Sequence, residues 1–318
     1  MTTKASITLS CGLRMAYQRW GNSSSSGSSN RIICSHGWLD NSNSFSYLGP
    51  HLAAQGYDVI AIDYIGHGRS DHLPDSVLYS FPSYISHLKS FLDEIQWDNT
   101  NIIGHSMGAG ISMILSGSFP EMINKLILID GFGPITTIAG KSPSLLRKAI
   151  EQENAHYKNN NDKKKVYDNI SKAIDARVRN VSSYPGKQYL SREAATSLVS
   201  RGTQLVIDNN NNNNDDIDEH NPNPVVFRHD HRLFLPSYTY FSNEQILHFI
   251  DGITSKTLLI QGSNGWPVES QDLHDRKEHF KQKGLLSHIT LSGSHHLHLD
   301  PTSRESVGIE ILKFLKQE

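Results

Sequence analysis

Only two cysteines, Cys11 and Cys34, occur in 318 residues, too few for the disulfide framework that staples small secreted folds. Both lie in apolar, strand-like contexts, where reduced and packed thiols are expected. No stretch approaches the roughly 18 uninterrupted apolar residues that a spanning helix requires. The first twenty residues, MTTKASITLSCGLRMAYQRW, also lack the unbroken apolar block of a secretory signal. An excess of charge of one sign is missing too. Thirty Lys and Arg against 32 Asp and Glu leave a net charge of −2, so neither nucleic acid nor an anionic membrane is expected as a partner. The KKK at 163–165 reads as a solvated tip, and the terminal KQE matches no retrieval or peroxisomal address. A soluble cytoplasmic protein is the default expectation.

What is present is a regular alternation of apolar runs with helical stretches. Residues 5–9 and 13–20 read as two short strands, followed by the Ser-rich tract SSSSGSS at 23–29, which cannot bury itself and is expected as a mobile loop. RIICS at 31–35, DVIAID at 58–63 and NTNIIG at 99–104 come at intervals suited to parallel strands, with KLILID at 125–130 next. Strands of that quality resume only at KTLLIQG, 256–262, and SHITLSG, 287–293. The interval carries apolar residues at helical spacing in 145–154, 166–178 and 192–199, so it is expected to be a helical cap over the C-terminal edge of the sheet. The Asn-rich stretches at 159–162 and 208–216 read as disordered inserts. The division is therefore a first core part, 1–134, a cap, 135–250, and a second core part, 251–318. Mostly parallel strands, about eight, with helices on both faces and an inserted lid make the expected class an α/β-hydrolase fold.

Gly104-His105-Ser106-Met107-Gly108 falls where the third parallel run meets a small-residue helix, AGISMILSG. A strand turning sharply into a helix crowds its own ends. Glycine on either side relieves the crowding and leaves the central serine hydroxyl exposed above the sheet, in front of the helix's positive end. Such a serine needs a base, an orienting acid and donors for an oxyanion. The base is expected on the loop after the last strand, SGSHHLHLDP at 292–301, with His295 first, His296 as the alternative and His298 packed beneath. A metal-binding turn is disfavoured because no carboxylate or cysteine cluster accompanies these histidines. Where an acid often follows the seventh strand, Gly262-Ser263-Asn264-Gly265 places glycine instead. Asp130, ending the sixth strand, is the acid preferred here over a turn-capping role, with Glu269 and Asp272 in reserve.

The Met107 amide is one oxyanion donor, and the Trp38 amide, after His36-Gly37, is the other. The Trp38 ring either lines an acyl pocket or packs on the cap. In DYIGHGRSD, 63–71, Arg69 and Ser70 are expected to tie down a loop, with His67 and His105 as scaffold residues. Arg228, Asp230 and Arg232 in FRHDHRLFLP are expected on a paired surface hairpin, closure of the substrate cavity being the lesser reading. No cofactor and no metal are expected; the partner is a small-molecule ester or thioester. The rival class is a non-catalytic small-molecule-binding protein on the same fold, suggested by the glycine at the strand-seven acid position.

The segments HGWLDN, DYIGHGRSD, GHSMGAG, KLILIDG and GSHHLH, in this order, resemble the α/β-hydrolase superfamily and within it the serine hydrolase-like proteins, near the epoxide hydrolase and haloalkane dehalogenase branch. The resemblance implies a serine nucleophile at Ser106 acting through an acyl-enzyme. Epoxide hydrolases and haloalkane dehalogenases carry aspartate there, so Ser106 argues against both activities. An acid after strand six, as in some dehalogenase relatives, agrees with Asp130.

Overall fold

Alternate residues of the central strands feed two separate cores, which is why those strands are apolar throughout. The computed structural model describes residues 2–21, 30–159, 164–184, 188–206, 216–266 and 270–317. Eight strands form the main sheet: β1 (Thr2–Thr8), β2 (Arg14–Trp20), β3 (Arg31–Ser35), β4 (Asp58–Ile62), β5 (Thr100–His105), β6 (Ile123–Ile129), and, after a long interval, β10 (Lys256–Asn264) and β11 (Leu286–Ser294). Their spatial order is β1-β2-β4-β3-β5-β6-β10-β11. β2 pairs antiparallel with β1 and β4, and the remaining neighbours run parallel.

Ile33, Ile60, Ile102, Leu126 and Leu259 enter one core. Ile32, Val59, Ile103, Ile127 and Ile260 enter the other. The period of two along each strand sends neighbours to opposite faces, and a parallel sheet covered on both sides has no wet face. The first core is closed by α2 (Phe81–Glu94), α3 (Met107–Ser118), α7 (Asn243–Gly252) and α8 (Gln271–Gln282), and the second by α1 (Leu48–Ala53) and α9 (Arg304–Leu315). The boundary expected at residue 250 falls inside α7, whose Ile246 and Ile250 belong to the first core.

Between β6 and α7 lies the insertion. It contains α4 (Ser142–Lys158), α5 (Ile170–Ser182) and α6 (Arg192–Gly202), around a third apolar cluster that includes Ile170, Ile174, Leu198 and Val225. The expectation of a wholly helical insertion is incomplete. β7 (Val166–Tyr167), β8 (Thr203–Leu205) and β9 (Val225–Phe227) make a small antiparallel sheet in the order β7-β9-β8. Strands of two or three residues offer too few repeats for any period to register. The Ser-rich tract and most of the two Asn-rich stretches lie outside the described residues.

Two further expectations are corrected. Cys11 is exposed, in the turn between β1 and β2; Cys34 is buried in β3, and burial pushes its thiol up. Asp230 and Arg232 are buried rather than on a surface hairpin. Arg232 donates to both Asp230 oxygens and to the carbonyls of Leu73, Pro74 and Val77, pinning that loop to the insertion. A guanidinium with five donors can be buried when carbonyls and a carboxylate meet them, and that partner set is invisible in the local sequence. Among the described residues no helix is long and apolar enough to cross a membrane.

Candidate active site

Ser106 stands between β5 and α3 with φ 53° and ψ −114°, a costly conformation for any residue with a side chain. Its neighbours explain how the chain accommodates it. A Cβ on Gly104 would lie 2.6 Å from the Ala109 Cα, and one on Gly108 would lie 2.1 Å from the Ser35 carbonyl oxygen. Only glycine lets the strand, the helix and β3 close on one another there. The Ser106 amide donates to the Ile129 carbonyl at 3.1 Å, which locks the bend to the end of β6. Ser106 and Met107 remain partly exposed.

His295, at the end of β11, faces this serine. Its Nε2 lies 2.9 Å from Ser106 Oγ, and its Nδ1 lies 2.6 Å from Asp130 Oδ2. With Nδ1–H donated to the carboxylate, Nε2 is left to accept the serine proton. The backbone of His295 is held as well: His105 Nε2 donates to the His295 carbonyl at 2.9 Å.

Asp130 follows β6 directly with φ 44°. Its amide donates to the Ile260 carbonyl, and its carboxylate accepts the Gly262 amide at 2.9 Å and the Trp266 amide at 2.8 Å. The turn-capping role weighed in the sequence concerned the turn after its own strand; the amides its carboxylate accepts belong instead to β10 and the turn that follows it, and the same carboxylate meets the imidazole. The strand-seven position is filled in a direct sense. A Cβ on Gly265 would sit 2.1 Å from Asp130 Oδ1. Of the reserve acids, Asp272 is engaged by Thr136 Oγ1 at 2.5 Å on α8, and Glu269 lies outside the described residues.

The alternative base His296 is turned elsewhere. Its Nε2 bonds Asp40 Oδ2 at 3.1 Å, and Arg177 of α5 reaches the other oxygen of Asp40 at 2.6 Å. The two neighbouring histidines thus engage different partners, His295 the serine and Asp130, His296 Asp40. His298 is fully buried, with Nε2 2.8 Å from Ser44 Oγ. Burial pushes His105 and His296 down and His298 down to about 3. Burial opposes ionisation of Asp40, but His296 and Arg177 outweigh it and hold the carboxyl well below the usual range.

Asp40, His105 and His296 offer three ligand atoms within 4.8 Å of one another, the one such group among the described residues. Arg177 already occupies that spot as the cation, 2.6 Å from Asp40 Oδ1 and 3.4 Å from His296 Nε2, so the donor set does not fit a metal ion. The sequence reading missed both Asp40 and Arg177. Asp40 sits two residues past Trp38 in HGWLDN and could have been suspected; Arg177, on an amphipathic helix more than 130 residues away, carries no such signal.

The loop after β3 runs beside the serine. A Cβ on Gly37 would lie 3.2 Å from Ser106 Cβ, which brings the following Trp38 backbone near the reacting position. The Trp38 ring, 41 % exposed, meets Phe234 of the insertion edge-on at 5.3 Å. Trp266 lies 5.7 Å from the His295 ring and contacts Tyr184. Arg69 and Ser70 do tie down their loop: the Arg69 amide bonds Asp63 Oδ2 at 2.9 Å, and Ser70 Oγ donates to the Asp63 carbonyl. Burial raises and Arg201 lowers the Asp63 carboxyl, with a net push to about 2.

A strand–turn–helix serine, a histidine at the far end of the sheet and a carboxylate between them on this topology define a class. The chain belongs to the alpha/beta hydrolase fold family, whose model matches residues 30–302. Within that class it is similar to a serine hydrolase-like protein of Dictyostelium discoideum, 30 % identical over 99 % of this chain and 82 % of the relative, and to a serine hydrolase-like protein of Danio rerio, 30 % identical over 90 % and 82 %. Among solved structures it is similar to a hypothetical protein of Pseudomonas aeruginosa, with a TM-score of 0.83 and 29 % identity over 99 % of both chains.

Proposed function

We propose that this protein is a serine hydrolase that cleaves a carboxylic ester or thioester through an acyl-enzyme on Ser106. The observation that carries the reading is the unbroken relay from Ser106 Oγ to His295 Nε2 at 2.9 Å and from His295 Nδ1 to Asp130 at 2.6 Å, on a serine that solvent reaches. Ser106 Oγ attacks the carbonyl carbon as its proton passes to His295 Nε2, and the carbonyl π pair moves onto oxygen. The Met107 amide, at the start of α3 and without a partner inside the helix, and the Trp38 amide receive that oxyanion. Collapse breaks the bond to the alcohol or thiol, which leaves with the proton from His295. Water, deprotonated by the same imidazole, then attacks the acyl carbon and frees Ser106. Asp130 orients the ring and stabilises its cation.

The rings of Trp38, Phe234 and Trp266 favour an apolar acyl or leaving group, and residues 135–242 act as the cap that carries one wall of the cleft. A fluorophosphonate probe tests the reading. Stoichiometric labelling that is lost in Ser106→Ala, with turnover of a p-nitrophenyl ester falling by about 10⁶-fold, is the expected result. A folded wild type that takes no label makes the protein a binder on a hydrolase scaffold.

A further inference from the structure

Gln188 lies in the insertion between α5 and α6, and its side chain is buried at 5 % exposure. The amide nitrogen donates to the Gly265 carbonyl at 2.5 Å. The amide oxygen accepts from Ser294 Oγ at 2.7 Å and from the His295 main-chain N–H at 3.1 Å. One side chain therefore joins the loop that carries the base to the turn that holds the acid, since the neighbour of Gly265, Trp266, donates its amide to Asp130. The contact is not isolated. Tyr189 N–H donates to Ser294 Oγ at 2.9 Å, Ser191 N–H donates to Asp300 at 3.1 Å, and Leu299 of the base loop packs into the insertion's own apolar cluster.

We propose that Gln188 is a positioning residue that sets the separation of His295 from Asp130, and that through it the seating of the insertion controls whether the relay is aligned. This rests on the serine hydrolase reading above. A primary amide suits the place because one end must donate to a carbonyl while the other accepts two donors. Glutamate reproduces the accepting end only, and alanine neither. Misplacement of a catalytic group by about 1 Å costs on the order of 10²-fold in rate.

The test compares wild type, Gln188→Ala and Gln188→Glu in fluorophosphonate labelling rate, in kcat and KM for p-nitrophenyl butyrate from pH 5 to 9, and in folded fraction by circular dichroism. Gln188→Ala is expected to label about 10- to 100-fold more slowly and to lose kcat by a similar factor, with KM within about threefold of wild type. Gln188→Glu keeps the shape and adds an anion beside the base loop, which favours protonated imidazole. Because the base acts when neutral, the acidic limb of its rate profile is expected to move to higher pH. Wild-type rates in Gln188→Ala, or losses matching only its unfolded fraction, overturn the proposal. If Gln188→Ala does not fold, a Gln188→Glu profile superimposable on wild type overturns it alone. A folded wild type that takes no label sinks the hydrolase reading and this inference together, whereas a reactive wild type with indifferent variants sinks only this inference.

Discussion

Gly265→Ala should disable the protein through one contact. The glycine's φ lies outside the left-handed region, so alanine is tolerated by the backbone; what it meets is the Asp130 carboxylate, 2.1 Å from the new Cβ at Oδ1 and 2.6 Å at Cγ. Relieving that overlap requires the carboxylate to retreat by roughly 1 Å, given a normal carbon–oxygen separation above about 3 Å. Asp130 has no free direction, since Gly262 N at 2.9 Å, Trp266 N at 2.8 Å and His295 Nδ1 at 2.6 Å fix both oxygens. Hydrogen bonds to a charged group are worth about 1.5–3 kcal/mol each, so disrupting two of them should destabilise the fold by about 3–6 kcal/mol. Losing the imidazole contact should take turnover toward the roughly 10⁴-fold deficit of a triad whose acid no longer orients its base. The decisive assay is a double-mutant cycle, with urea unfolding and fluorophosphonate labelling of wild type, Gly265→Ala, Asp130→Ala and the double variant. If the clash is with this carboxylate, Gly265→Ala costs little stability once Asp130 is alanine, and the coupling is several kcal/mol. Additive effects, or a fully active Gly265→Ala, refute the reasoning.

His295→Gln should lower labelling of Ser106 by about 10⁴-fold or more, whereas His296→Gln, which can still donate to Asp40, should stay within about tenfold; labelling rates decide, and a dead His296→Gln with a live His295→Gln reverses the assignment. Acid should unfold the protein early. His298 is pushed down to about 3 and His105 and His296 are depressed too, chiefly by burial. Below an unfolded value near 6.5 the unfolded chain binds protons that the folded chain refuses. Their stabilisation is complete above about pH 6.5 and is lost as pH falls toward the folded values, by at most about 1.4 kcal/mol per pH unit for each imidazole. Urea midpoints between pH 7.5 and 5 check this, and a flat profile contradicts it.

The main sheet was legible because its strands are buried on both faces and write continuous apolar runs such as KLILID; the elbow was legible because close packing of backbone admits only glycine. The reading failed where partners are distant or repeats are short. Asp230 and Arg232 looked like surface charges because the Leu73, Pro74 and Val77 carbonyls that satisfy Arg232 lie more than 150 residues earlier. Gln188 offers no pattern at all, being one polar residue in a connection, and its importance is a matter of what folds onto it. The sequence ranks His295 ahead of His296, but the carboxylate that draws His296 away, Asp40, lies more than 250 residues earlier and leaves no local signal.

On the proposed reading, the acid's location follows from sheet geometry rather than from loss of a group. β6 and β10 are neighbours in parallel register, with Ile129 opposite Ile260, so a side chain leaving the end of β6 and one leaving the turn after β10 can aim at the same few cubic ångströms beside the imidazole. They cannot share it: the Asp130 carboxylate occupies the space in which any side chain at 265 would begin. Glycine at 265 is therefore the condition for aspartate at 130, and the apparent gap that favoured a non-catalytic protein becomes an argument for the opposite reading. Moving the carboxylate back, in an Asp130→Gly, Gly265→Asp double variant, should restore part of the labelling that Asp130→Gly alone loses. No recovery in a folded double variant would mean that the two positions do not converge.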